Sequence, residues 1–332
     1  MIFERVHEII LDDIFLRMDG LLADAELFLK LEGLNPAGSI KAKAALGLVA
    51  DAERRGLLRP GGRIIESSSG SLGIALSLIA ASKGYAFTCV TDPNVSPQSL
   101  GMIRALGAQV VMVDQRDANG GFLGTRIDYI KTRLAVDPDL VWLNQYENPA
   151  NPQAHSATTA ASVLREFGRV DQLFVGAGTT GTLMGCVQYF RRFSPHTRII
   201  AVDTEGSVTF GGPPGRRHIP GLGTSRRPEL CRPDAVDDVI MIPEAEAVRT
   251  CRLLARERGL AVGGSTGSVL SAVLRSAPVI PPGARVVAIS PDLGERYLET
   301  VYSDDWVAAR FELPQTVPVH VAGDPIAAEG VS

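Results

Sequence analysis

The chain has little that could tie it together covalently or hold a metal. Of its 332 residues only four are cysteine, Cys89, Cys186, Cys231 and Cys251. They form no C-x-x-C pair and have no histidine at zinc spacing, which argues against a zinc ribbon and a disulfide-stapled scaffold. Reduced thiols, and so a cytoplasmic location, are the expectation. Positive charge is also in short supply: 33 Lys and Arg stand against 37 Asp and Glu, for a net charge of −4. With no basic run either, nucleic acid has no electrostatic claim on the surface. No apolar stretch reaches the roughly 18 residues that a membrane span takes. The opening Met1-Ile2-Phe3-Glu4-Arg5, with Asp12 and Asp13 close behind, lacks the apolar core of a signal peptide. Internal repeats and low-complexity tracts are missing as well.

What remains is an ordinary globular composition, 45% hydrophobic and 21% charged. The length predicts two domains or one large α/β unit. Apolar runs of strand length alternate with helical patterns. Strands are expected at Arg63-Ile64-Ile65-Glu66, Ala86 to Thr91, Gln109 to Val113, Asp171 to Val175, Arg198 to Asp203 and Arg285 to Ser290. Helices are expected over Ile74 to Lys83, Ser99 to Leu106 and about Thr182 to Phe193. Such β-loop-α repetition predicts parallel sheets with helices on both faces. Thr204 to Pro228, rich in Gly, Pro and Arg, reads as an active-site loop, and the chain beyond about Ala309 as a poorly ordered tail.

Four short segments carry chemistry. In Asn35-Pro36-Ala37-Gly38-Ser39-Ile40-Lys41 a tight turn delivers a lysine to a helix start. In a dry site desolvation would lower that lysine's pKa and sharpen its amine as a nucleophile; a plain surface lysine would look the same. Ser67-Ser68-Ser69-Gly70-Ser71-Leu72-Gly73 places hydroxyls and N–H groups where a helix begins, which suits a carboxylate or merely caps the helix. Gly176-Ala177-Gly178-Thr179-Thr180-Gly181 lies between strand and helix and could cradle a phosphate. It lacks the lysine of a Walker loop, and the competing dinucleotide fingerprint is incomplete, with Asp203 a little late for a ribose. Finally, Ser265 in Gly263-Gly264-Ser265-Thr266-Gly267 could hydrogen-bond a pyridine nitrogen. A neutral partner there favours β-elimination over long-lived carbanions.

In this order and spacing the four segments resemble the cysteine synthase and cystathionine β-synthase family, the fold type II enzymes of pyridoxal 5'-phosphate. The resemblance runs from about Leu31 to Trp306 and takes in Asn148-Pro149-Ala150-Asn151-Pro152 and Gly294-Glu295-Arg296-Tyr297-Leu298. It implies two α/β domains like those of the tryptophan synthase β-subunit. Residues 1–44 and 147–309 would form a larger cofactor-binding domain, residues 45–146 a smaller mobile domain for the substrate carboxylate, and residues 310–332 the tail. It implies Lys41 as the Schiff-base lysine, Gly176, Ala177, Gly178, Thr179 and Thr180 as the phosphate loop, and Ser265 at the pyridine nitrogen. Ser68, Ser69, Leu72 by its N–H, and Gln145 would take the substrate carboxylate. Ser71 stands where the family usually has an asparagine facing the cofactor's 3-oxygen, so that contact is expected to differ. A homodimer is implied as well.

Further segments resemble the branch of the family that joins O-phospho-L-serine to L-glutamate for 2,3-diaminopropionate, a precursor of siderophores and peptide antibiotics. They are Gly120 to Arg126, Trp142 to Tyr146, Gly206 to Gly211, Ile219 to Arg226 and Val301 to Trp306. By that resemblance Arg126 and Tyr146 would receive the dianionic leaving group. Arg216, Arg217 and Arg226 are further candidates for phosphate or for a glutamate carboxylate. The alternatives are a cysteine synthase or O-phosphoserine sulfhydrylase, and a non-catalytic cofactor-binding sensor.

Overall fold

The computed structural model describes residues 2–68, 70–118 and 120–311. The expected tail, from residue 312 on, and Ser69 lie outside them. The chain starts a first sheet with β1 (Phe15–Arg17) and β2 (Glu26–Leu31), then enters α1 (Lys41–Arg54). It crosses into a second sheet through β3 (Arg63–Ser67), α2 (Ser71–Lys83), β4 (Ala86–Thr91), α3 (Pro97–Ala105), β5 (Gln109–Met112), α4 (Leu123–Val136) and β6 (Leu140–Trp142). It then returns through α5 (Ala150–His155), α6 (Ala161–Phe167), β7 (Gln172–Gly176), α7 (Gly181–Phe193), β8 (Arg198–Thr204) and β9 (Asp238–Ile242). Last come α8 (Glu244–Arg258), α9 (Gly264–Ser276), β10 (Arg285–Ser290) and α10 (Asp304–Ala308). A wide turn at Ser156–Ala160 joins α5 to α6.

The sheets are separate. Six strands run in the order β1-β2-β10-β7-β8-β9, parallel except for the antiparallel β1–β2 pair, and four run in the order β5-β4-β3-β6, all parallel. Parallel strands need crossovers, and the helices supply them while covering the faces. The central strands are therefore apolar throughout: Val286, Val287, Ala288 and Ile289 of β10 are all buried. Helix α2 is apolar all round for the same reason, with Leu72, Ile74, Ala75, Leu76 and Ile79 out of water. All four cysteines are buried and free. Among the described residues no helix is long and apolar enough to cross a membrane.

The order of strands around β3 and β7 reverses direction, and in such sheets the crevice lies beyond the carboxyl ends of the strands. The loop after β3 holds Ser68 and the loop after β7 holds Ala177 to Thr180; Lys41 opens α1 after β2, Arg126 lies on α4, Gln145 and Tyr146 follow β6, and Ser265 lies near the start of α9.

Candidate active site

The lysine turn is built by Asn35. Its side chain accepts from the Ala37 N–H (3.0 Å) and donates to the Glu32 and Ser39 carbonyls (2.9 and 3.0 Å). Gly38 closes the turn in the left-handed region, at φ 64°. The Ile40 N–H then donates to the Pro291 carbonyl at 2.7 Å, seating the turn on the end of β10. Lys41 is the first residue of α1. Its neighbour Lys43 is fully engaged, with Glu32, Asp12 and the Thr159 hydroxyl as partners. The Lys41 amine has no hydrogen bond or ion pair among the described residues. Dense protein around it lowers its pKa from the ordinary lysine value, and the charge of Asp292 only partly opposes this.

Asp292 was not read from the sequence. It is buried, with Oδ2 accepting from the Tyr297 hydroxyl at 2.6 Å and Oδ1 unpartnered. Burial raises its pKa to about 6. Its backbone pairs with Ser39 and accepts from the Gly263 N–H at 3.3 Å, so it locks the lysine turn to the turn that starts α9. Gly263 has to be glycine, since a Cβ there would overlap the Asp292 carboxylate. Ser265 follows at the second position of α9, buried, its hydroxyl making no hydrogen bond among the described residues.

The loop after β7 is shaped by what packs against it. A Cβ on Gly176 would come within 2.7 Å of the Leu222 side chain, and one on Gly178 within 2.6 Å of the Gly221 carbonyl. The Gly223 N–H donates to the Ala177 carbonyl at 2.8 Å. Thr180 is held left-handed, at φ 63°, and its buried hydroxyl has no partner. Helix α7 starts at the next residue, so its N-terminal N–H groups and dipole face the same loop. Gly221 abuts the Ser265 hydroxyl, which places the Ile219–Gly223 stretch over both loops. That stretch is fastened by Glu244, whose carboxylate accepts from the His218 and Ile219 N–H groups at 2.9 and 2.7 Å. A cradle with an orphan hydroxyl, a helix N-terminus, a free serine and a free deprotonatable lysine fits a phosphorylated pyridine aldehyde.

The second sheet contributes the other wall. The Ser68 hydroxyl oxygen accepts from the Gly70 and Gly73 N–H groups (3.2 and 2.8 Å), leaving its hydrogen to donate. Leu72 is buried at the second position of α2, where its N–H is one of the helix's terminal donors. Ser71, the helix's first residue, is half-buried with no hydrogen bond to its hydroxyl among the described residues, and nothing in the structure explains why it replaces asparagine. The Gln145 side chain donates to the Ser67 carbonyl at 2.8 Å. Glu66 lies beside Gln145: its buried carboxylate accepts from the Ser67 N–H (2.8 Å), the Gln145 N–H (3.3 Å) and the Trp142 indole (3.2 Å). Burial outweighs those donors and raises its pKa to about 7.

Arg126 is 6% exposed on α4, 3.3 Å from the Asp92 carboxylate, and its Nε and Nη1 have no hydrogen-bond partner. Tyr146 is buried close by, and burial, the largest influence, raises its pKa, so it stays a donor near neutral pH. The other arginines do not join them. Arg216 is exposed, and Arg226 is exposed and paired with Glu229. Arg217 turns inward to the Leu222 carbonyl (3.2 Å) beneath its own loop, near Asp203. Asp203 accepts from the Thr204 N–H and serves this loop, not a ribose.

Comparison with known proteins places this geometry. Residues 15–292 match the family model described as pyridoxal-phosphate-dependent enzyme. Two relatives are named N-(2-amino-2-carboxyethyl)-L-glutamate synthase. One, from Ralstonia nicotianae, is 44% identical over 86% of this chain and 84% of its own. The other, from Cupriavidus metallidurans, is 43% identical over 89% of this chain and 88% of its own. The crystal structure of O-ureido-L-serine synthase superposes with a TM-score of 0.85 at 34% identity, over 93% of this chain and all of that one. The chain belongs to the pyridoxal-phosphate-dependent enzymes of fold type II, and its cofactor is pyridoxal 5'-phosphate.

Proposed function

We propose that this pyridoxal-phosphate enzyme replaces the phosphate of O-phospho-L-serine with the amine of L-glutamate, giving N-(2-amino-2-carboxyethyl)-L-glutamate and inorganic phosphate. It would work in the cytoplasm as a homodimer and feed 2,3-diaminopropionate into siderophore or antibiotic synthesis. The division into a larger cofactor domain (residues 1–44 and 147–309) and a smaller substrate domain (residues 45–146) belongs to the same proposal.

The cofactor, once joined to an amino acid, stabilises negative charge at Cα, so that the α-proton and then a β-substituent can leave. The chain's own residues do the rest. Lys41 would hold the cofactor through its side-chain nitrogen and, when released from it, would take the α-proton; burial lowers its pKa, which favours the neutral amine that both tasks use. Gly176 to Thr180 and the start of α7 hold the cofactor phosphate. Ser265 meets the pyridine nitrogen as a neutral partner. Ser68, Ser69, the Leu72 N–H and Gln145 orient the substrate carboxylate, and Arg126 with Tyr146 receives the departing phosphate.

The observation that carries the substrate assignment is Arg126: a buried guanidinium whose Nε and Nη1 make no hydrogen bond, with only the Asp92 ion pair at Nη1, is costly unless a further anion comes to it. Asp92 alone does not satisfy it. An acetyl leaving group would not need such a cation, whereas a phosphate dianion does. The test is mass spectrometry of the products when O-phospho-L-serine is offered glutamate, sulfide and ammonia together. The glutamate adduct is expected to dominate; cysteine as the main product would overturn the reading in favour of a sulfhydrylase.

A further inference from the structure

Between the two walls of the cleft lies Asn151, on α5, which is 1% exposed. Its amide nitrogen donates to the Gln145 carbonyl at 2.8 Å and to the Thr179 hydroxyl oxygen at 3.4 Å. Its Oδ1 is buried with no hydrogen-bond partner. A Cβ on Gly181, the first residue of α7, would overlap the same carboxamide, so Gly181 leaves the space Asn151 occupies. One side chain therefore touches the carboxylate-side segment, the phosphate-side loop and the helix that follows it.

Hydrogen-bond counting gives this contact a direction. A threonine hydroxyl has one hydrogen, and an oxygen that accepts from Asn151 keeps that hydrogen for another partner. Gln145 is fixed at three points: its N–H is held by Glu66, its side chain by the Ser67 carbonyl, and its backbone carbonyl by Asn151. Without Asn151 the Gln145 carbonyl would be left buried and unpaired, and the Thr179 hydrogen would be free to point away from a phosphate.

We infer that Asn151 is a positioning residue that couples the two half-sites, aiming the Thr179 hydroxyl at the cofactor phosphate while holding Gln145 for the substrate carboxylate. This rests on the proposed assignment of Thr179 and Gln145. The effect runs through neighbours, so it is read as non-additivity.

The test is titration of apoenzyme with pyridoxal 5'-phosphate, followed by tryptophan fluorescence, for the wild type, Asn151→Ala, Thr179→Val and the double variant. Each single variant is expected to weaken cofactor binding by about tenfold, and the double variant by about the same tenfold, because on the cofactor side both act through the one Thr179 hydroxyl. Asn151→Ala alone is further expected to raise KM for O-phospho-L-serine severalfold with a smaller change in kcat. Asn151→Asp, which keeps the size but accepts where the amide donated, should behave like Asn151→Ala and serves if the latter does not fold. A double variant weakened about a hundredfold, or Asn151→Ala with unchanged affinity beside a weakened Thr179→Val, would overturn the coupling. Unchanged affinity in Thr179→Val would instead overturn the assignment of Thr179, and the coupling with it.

Discussion

The two walls of the cleft are made of different materials. On the six-stranded side the site is shaped by glycine and backbone: Gly176, Gly178, Gly181 and Gly263 each face atoms that leave no room for a side chain. On the four-stranded side it is shaped by buried charge: Glu66, Arg126 and Asp92 lie out of water, Arg126 with hydrogen bonds left unmade and Glu66 with its pKa displaced. A close-fitting backbone cradle recognises one constant object, which suits a cofactor. Buried charge discriminates among ligands by theirs, which suits the choice of substrate. Lys41 stands between the two and belongs to both.

The largest effect should come from removing what both walls share. Lys41→Ala is expected to lower turnover of O-phospho-L-serine by at least about a thousandfold, as measured by phosphate release. Substantial turnover in that variant would exclude Lys41 as the base. Next in size is a breach of the cradle. Gly181→Ala sets a methyl group against the Asn151 carboxamide and should cost about 1–3 kcal/mol of stability together with cofactor affinity, read by thermal melting and apoenzyme titration. If it melts and binds like the wild type, the backbone fit is not what holds the cofactor.

A third effect, seen only as pH changes, concerns the charged wall. Burial raises the Glu66 pKa from 4.5 to about 7, so the folded state favours its protonated form. Its contribution to stability is therefore complete at low pH and declines as pH rises through that window. The loss is about 1.4 kcal/mol for each unit by which the folded pKa exceeds the unfolded one. Glu66→Gln carries no such titration, so its urea midpoint relative to the wild type should climb between pH 4.5 and 7. Parallel profiles would mean that Glu66 is ionised throughout.

The two walls were also unequally legible in the sequence. The glycine cradle is local: strand, loop and helix follow one another within β7 and α7, and the expected strands at Ala86 to Thr91 and Arg285 to Ser290 match β4 and β10 residue for residue. Strand β2 was not anticipated, because its Lys30 interrupts an apolar run. That lysine is buried in an ion pair with Asp12 that only the tertiary fold creates. Likewise Asp292, Asp92 and Asn151 each meet a partner far away in sequence, at Ser39, Arg126 and Thr179 respectively. An acid closing an apolar strand, as Glu66 and Asp92 do, was the available signal, and it was not read as functional. Asn151 lay inside a segment that resembled the family without any role attached to it.

The central claim, that buried charge on the four-stranded wall selects the substrate, is tested most directly through Arg126. The measurement is kcat/KM for O-phospho-L-serine and for O-acetyl-L-serine, with glutamate as nucleophile, in the wild type and in Arg126→Met. The wild type should prefer the phosphate ester, and Arg126→Met should lower that preference by about a hundredfold, almost entirely through the phosphorylated substrate. An equal loss on both substrates, or none on either, would contradict it.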